Sequence, residues 1–250
     1  MTDVTRAPGW RDRLARHAKR TELRLLALGL VLITPVWGFV SVMGEVREGD
    51  TSGVDSAILL AFRRPGDLAT PIGPRWLQEA ARDVTALGGF TVLTLVVVLA
   101  VAVLWLHRRR AQALGLVTAV LAGEAVAQAT KALVGRARPD LVPHLDQVYS
   151  SSFPSGHSAL SPIVYFTLAG IVAAGERGRS LTGLLIGAAV MLVAAIGVSR
   201  VYLGVHWPSD VLAGWSLGTA VALVATLVLH LTAPHRAGAV VPEVAAPPQT

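Results

Sequence analysis

The chain contains no cysteine, so neither disulfides nor thiol chemistry contributes to its fold or activity. Charge is scarce. Only 15% of the 250 residues are Asp, Glu, Lys or Arg, too few to cover a water-soluble domain of this size. Lysine is nearly missing, with Lys19 and Lys131 the only two among 22 basic residues. No small-residue cleavage pattern follows the first apolar run, which points to an uncleaved signal anchor rather than a signal peptide. No cluster of carboxylates suggests a metal site, and neither metal nor cofactor is expected. No internal repeat stands out.

What is abundant is apolar sequence, at 53% of the chain. It falls into windows of about 20 residues, the length that crosses a bilayer. Six spans are predicted: 25–43, 87–106, 111–134, 158–174, 181–198 and 211–231. The fold class is therefore all-α, a polytopic membrane protein with six transmembrane helices. The loop over 44–86 contains WLQEAARDVTAL, whose helical spacing predicts a short interfacial helix. Residues 1–24 form a basic segment, 25–232 the membrane domain, and 233–250 a tail rich in Ala, Pro and Val that is expected to be disordered.

The net charge of +6 does not indicate nucleic-acid binding, because the bases cluster beside apolar spans as topology signals and anionic-lipid contacts do. The basic N-terminus, HRRR at 107–110 and the Arg-Gly-Arg turn fall on one face if the spans alternate. By the positive-inside rule that face is cytoplasmic, as are both termini. The opposite face receives the loops 44–86, 135–157 and 199–210.

Three polar clusters flank the spans on that outer face. In KALVGRARP, Lys131 shares a helical stripe with Glu124 and Gln128, and Arg138 and Pro139 follow. A charge at a span end also snorkels to the interface with no further role. Glu124 is expected to partner a base within the bundle. In PSGH, Ser155 caps a helix start and Gly156 lets an anion approach free backbone N–H groups, which together make a phosphate cradle beside His157. The plainer reading is an ordinary cap with an interfacial histidine. In SRVYLGVHWPSD, Ser199 and Arg200 leave the fifth span, and His206 and Asp210 stand four apart at the start of the sixth. A carboxylate on one imidazole nitrogen fixes the tautomer and raises the basicity of the other, although such a pair also serves merely as a helix cap. Together the clusters bring cations and histidines to one membrane face, and Lys and Arg recognise tetrahedral oxyanions.

These residues closely resemble the type 2 phosphatidic acid phosphatase superfamily. Its signature K-x6-RP, PSGH and SR-x5-H-x3-D is present without departure at Lys131–Pro139, Pro154–His157 and Ser199–Asp210. The resemblance implies metal-independent hydrolysis of a phosphomonoester or pyrophosphate. It implies that His206 attacks phosphorus to form a phosphohistidine, that Asp210 orients His206, and that His157 is the general acid. It further implies that Lys131, Arg138, Ser155, Gly156 and Arg200 bind the phosphoryl oxygens.

Alternatives within and beyond the family are a vanadate-dependent haloperoxidase, a catalytically inactive lipid-binding relative and a solute transporter. The intact His157, His206 and Asp210 and the hydrophobicity favour the membrane phosphatase. The expected partner is a membrane lipid phosphate, such as undecaprenyl pyrophosphate, phosphatidylglycerophosphate or phosphatidic acid, in a bacterial cell membrane. The motifs read phosphate rather than its leaving group, so they do not choose among these lipids.

Overall fold

A computed structural model describes residues 10–148, 150–175 and 178–232. The expected C-terminal tail and residues 1–9 lie outside these. Among the described residues there are eight helices and one hairpin: α1 Trp10–Glu48, α2 Ser52–Ala61, β1 Arg63–Arg64, β2 Asp67–Pro71, α3 Arg75–Ala86, α4 Phe90–Leu106, α5 Arg110–Val134, α6 Gly156–Gly175, α7 Arg179–Tyr202 and α8 Pro208–Thr232.

Five of these helices are long and apolar enough to cross a membrane: the Leu26–Glu48 part of α1, then α5, α6, α7 and α8. The sixth span is broken. Gly88 and Gly89 end the path of α3, and α4 begins at Phe90 after a bend of 44°. The chain is a multi-pass membrane protein, and its outward side chains are apolar along α4, α5 and α7, as lipid rather than water requires.

Several helices run beyond their predicted ends. Ser199 and Arg200 do not leave the fifth span but lie in the last turn of α7. The cause is burial: a polar residue paired inside the protein no longer terminates the helix, and a cation suits its C-terminal dipole. The segment between α1 and α4 holds the expected short helix, α3, which forms the first half of the broken span, and also α2 and the β1–β2 hairpin, which the apolar pattern did not suggest.

Helix α6 sits at the centre, packed against α5, α7 and α8. Its contact with α8 is backbone to backbone. A Cβ on Gly214 would stand 2.8 Å from the Ser155 carbonyl oxygen, and one on Gly218 would overlap the Ala159 carbonyl. Small residues permit this approach, as they do between membrane helices generally. The contact sets the start of α6, with Ser155 and His157, beside the start of α8, with Asp210. Helix α5 ends at Gly135, whose left-handed backbone (φ 59°) lets its N–H cap the Lys131 carbonyl. The chain then folds back over the outer end of the bundle as the loop 136–155.

Candidate functional site

All eight residues singled out in the sequence are at one common end of α5 to α8 or in the loops joining them there. His206 is buried in the turn between α7 and α8. Its Nδ1 lies 3.4 Å from Asp210 Oδ2 and 3.3 Å from Ser152 Oγ. Its Nε2 lies 3.1 Å from Arg138 Nη1. Because a guanidinium only donates, Nε2 is the acceptor and the proton sits on Nδ1, facing the carboxylate. Burial pushes His206 down to about 4, with the bonded Asp210 opposing, so the ring is neutral and the Nε2 lone pair points at the Arg138 guanidinium.

Asp210 is fully buried and fully used. Its Oδ2 accepts from the Trp207 N–H at 2.9 Å and makes a very short bond with Ser152 Oγ. Its Oδ1 accepts from Arg136 Nη1 at 2.8 Å. Neither Ser152 nor Arg136 was singled out in the sequence. Arg136 occupies one of the unspecified positions of K-x6-RP, where a third base beside Arg138 reads as a surface charge.

The cations have few carboxylate partners. Lys131 Nζ donates to the Ser151 carbonyl at 2.8 Å, and Arg138 to the carbonyls of Ser150 at 2.8 Å and Val205 at 2.7 Å. Among the described residues neither has a carboxylate within ion-pair distance. Burial, and then the charge of nearby Arg200, hold Arg138 below its ordinary range. Arg200 is buried, donates Nη1 to Asp146 Oδ2 at 2.6 Å and to Thr85 Oγ1 at 3.0 Å, and leaves its buried Nε unpartnered. For Asp146, burial raises the carboxyl, but the bond and charge of Arg200 outweigh it and leave the group below the usual carboxylate range. The site therefore has unmet positive charge and a free N–H donor, the condition that a phosphoryl group relieves.

Ser155 is the cap of α6, accepting from the Ser158 N–H at 3.4 Å and from Ser158 Oγ at 3.0 Å. The plain cap reading of this residue therefore holds, and it leaves the cradle intact. Next to it Gly156 has open space where a Cβ would be, so no protein atom explains why the position is bare. His157 follows in the first turn of α6, packed against the Gly88–Gly89 turn, with Arg200 and His206 within electrostatic range of its ring.

An apolar cleft of ≈ 250 Å³ lies between α4, α5 and α6, and on α6 it is lined from Leu160, three residues after His157. It is lined among others by Phe90 and Val97, Val120 and Glu124, and Leu160 and Val164. Glu124 was expected to pair with a base. Instead its Oε1 accepts from Gln128 Nε2 at 2.7 Å, because the cation on that stripe, Lys131, has turned to the Ser151 carbonyl. His144 touches only the Pro139 carbonyl oxygen, at 2.6 Å, which fastens the loop.

Comparison with known proteins agrees with this geometry. Residues 112–232 match the family model of the PAP2 superfamily. Phosphatidylglycerophosphatase B of Bacillus subtilis (strain 168) is 31% identical over 184 residues, covering 72% of this chain and 85% of the relative. Decaprenylphosphoryl-5-phosphoribose phosphatase of Mycobacterium tuberculosis is 34% identical over 164 residues, covering 64% of this chain and 80% of the relative. The crystal structure of a transmembrane PAP2-type phosphatidylglycerolphosphate phosphatase from Bacillus subtilis superposes with a TM-score of 0.75 at 26% identity, over 83% of this chain and all of the other.

Proposed function

Because the chain belongs to the PAP2 superfamily, whose members it resembles in sequence and in fold, we propose that it removes phosphate from a membrane lipid through a phosphohistidine. The observation that carries this is the setting of His206. One ring nitrogen faces a buried carboxylate and the other faces the cations. That is how a neutral imidazole is made a nucleophile toward phosphorus.

The phosphoryl group sits where Lys131, Arg138, Arg200, Ser155 and the Gly156 N–H converge. His206 Nε2 forms a bond to phosphorus in line with the leaving oxygen. The P–O bond breaks, and His157 gives its proton to the departing alcohol or phosphate. Asp210 stabilises the imidazolium that forms on His206. Water then attacks phosphorus, His157 takes the proton from it, the N–P bond breaks and phosphate leaves. Positioning and charge neutralisation supply most of the acceleration in phosphoryl transfer, and fixed cations at a helix N-terminus act in the place of a metal ion.

The apolar cleft between α4, α5 and α6 supports a lipid substrate, since its walls are apolar and include Leu160, one turn along α6 from His157. Phosphatidylglycerophosphate, undecaprenyl pyrophosphate and phosphatidic acid are the candidate substrates. The positive-inside rule supports an extracytoplasmic site, with both termini and an anionic-lipid contact on the cytoplasmic side. In keeping with this, the α4–α5 turn and the end of α6 meet at the far end of the bundle, where Arg109 lies beside Gly175. The phosphatase unit is taken as residues 25–232.

The test is phosphate release by detergent-purified protein on those three lipids, with EDTA present and His206→Ala run in parallel. The expected outcome is release by the wild type alone. Equal release by His206→Ala would sink the mechanism, and loss of wild-type activity in EDTA would contradict metal independence.

A further inference from the structure

Two charged residues outside the signature are built into the site. Asp55 belongs to α2, in the first outer loop, and its side chain is 2% exposed. Arg136 belongs to the second outer loop and bridges two carboxylates. Its Nη2 lies 2.7 Å from Asp55 Oδ2 and its Nη1 lies 2.8 Å from Asp210 Oδ1. Asp55 in turn accepts from the Ser209 N–H at 2.9 Å and from Ser209 Oγ at 2.6 Å. Ser209 Oγ also accepts from Arg136 Nη1 at 2.7 Å. Asp55, Arg136, Asp210 and Ser209 therefore close a ring. The indole of Trp207 covers it, with the Arg136 guanidinium carbon 5.5 Å from the ring centroid.

The ring has a geometric consequence. The useful oxygen of Asp210 is Oδ2, which faces His206 Nδ1. A carboxylate held at one oxygen only can rotate about its last torsion and turn that oxygen away. Arg136 on Oδ1 blocks the rotation. The rigid planar fork of Arg136 aims its two Nη groups at different carboxylates, a fixed geometry that a compact, freely rotating ammonium does not reproduce. Arg136 is fixed by its own second partner, Asp55, and by Thr51 Oγ1 at 3.1 Å. Helix α2 is two-sided. Val54, Ala57, Ile58 and Ala61 form an exposed apolar stripe, while Asp55 and Leu59 point inward and are buried.

We infer that Asp55 and Arg136 are positioning residues of the phosphoryl-transfer site, holding Asp210 in the rotamer that aligns His206, so that helix α2 is part of the catalytic apparatus. The inference rests on the phosphatase reading above. Partners one step removed from the reacting group typically change activity about 10- to 100-fold. The effect falls on turnover, because neither residue belongs to the phosphate cradle.

The experiment compares wild type with Asp55→Asn, Asp55→Glu, Arg136→Lys, the Asp55→Asn/Arg136→Lys double variant and Ser209→Ala. Readouts are kcat and KM on phosphatidylglycerophosphate in mixed micelles, inhibition by orthovanadate as a measure of cradle occupancy, and thermal unfolding. Asp55→Asn and Arg136→Lys are expected to lower kcat about 10- to 100-fold with KM and vanadate inhibition within about threefold of wild type. Asp55→Glu should recover part of the loss. The double variant should be little worse than Arg136→Lys alone, since Asp55 acts through Arg136. Ser209→Ala, the mildest change, should lower kcat in the same direction.

Unchanged kcat in Asp55→Asn and Ser209→Ala beside an active wild type would overturn the inference alone. So would a parallel collapse of kcat, vanadate inhibition and unfolding temperature in every variant, which marks a mere structural staple. A wild type with no His206-dependent turnover would overturn the phosphatase reading and this inference with it.

Discussion

Arg200 and Asp146 are joined by a 2.6 Å ion pair in which the guanidinium is buried and the carboxylate is partly open to solvent. The pair spans the site, from the end of α7 to the second outer loop. It gives Arg200 a partner in the absence of phosphate, and it sets a carboxylate where a phosphoryl oxygen competes for the same donors. Asp146→Asn keeps the shape and removes the charge. The expected result is tighter inhibition by phosphate and orthovanadate, by about 3- to 10-fold, at unchanged or lower kcat. Weaker inhibition would mean that Asp146 mainly orients Arg200.

The pH dependence follows from His206. Its ordinary value is 6.5, and burial holds it at about 4. The nucleophile must be neutral, so protonation of His206 begins to cost activity only as pH falls toward 4. Between pH 7.5 and 5.5 the rate of phosphoenzyme formation, corrected for the separately measured ionisation of the lipid, should show no fall attributable to this group. A corrected acid limb near 6.5 would contradict the buried, neutral ring. The same shift has a stability counterpart. Between 6.5 and about 4 the unfolded chain binds the proton and the folded one does not, so His206 contributes a loss of stability as pH falls through that window.

His157→Ala should slow turnover strongly, on the order of 10²- to 10⁴-fold for an alcohol leaving group. The loss should shrink as the leaving group becomes more acidic, because a good leaving group needs no proton. A series of substituted phenyl phosphates would measure this. An equal loss across the series would remove His157 from the role of acid.

The α6–α8 contact predicts a stability effect far larger than the size of the change. Gly218→Ala places a methyl group where the Ala159 carbonyl already stands. Overpacking of this kind costs about 1–3 kcal/mol, and here it also separates the two helix starts that carry Ser155 and Asp210. Thermal unfolding in detergent should show the destabilisation, and activity should fall with it. Gly156→Ala is the control, since open space surrounds that position and the fold should tolerate it, while phosphate affinity falls.

Much of the fold could be read from the chain because lipid imposes one rule on it: long apolar windows must be helices. That located the spans and the short helix α3 before the second of them. What the periodicity could not show is where helices end once polar residues are paired inside. Arg200 looked like a loop residue and is helical, because Asp146 and Thr85 meet it. The residues proposed to carry the chemistry were picked out by type and spacing. Their supports were not, since Asp55 and Arg136 are 81 residues apart in sequence and neither stands out locally. Ser152 was passed over as one of a polar run, and only the fold shows that its hydroxyl bonds the Asp210 carboxylate. Glu124 was assigned a cationic partner by the rule for charges in spans, and a neighbouring amide took that place.

Beyond its bend from α3, the broken span has only the 17 residues of α4 in a straight run, which at 1.5 Å each is about 25 Å, against roughly 30 Å of hydrocarbon in a typical bilayer. Such a mismatch is met by thinning of the membrane alongside the short element. A deformation there would lie alongside the apolar cleft, which Phe90 at the start of α4 helps to line. A dimple in the leaflet at that point brings headgroups down toward the level of the phosphate cradle. The enzyme then need not lift its substrate far out of the membrane, and bilayer thickness becomes a quantity to which turnover is sensitive.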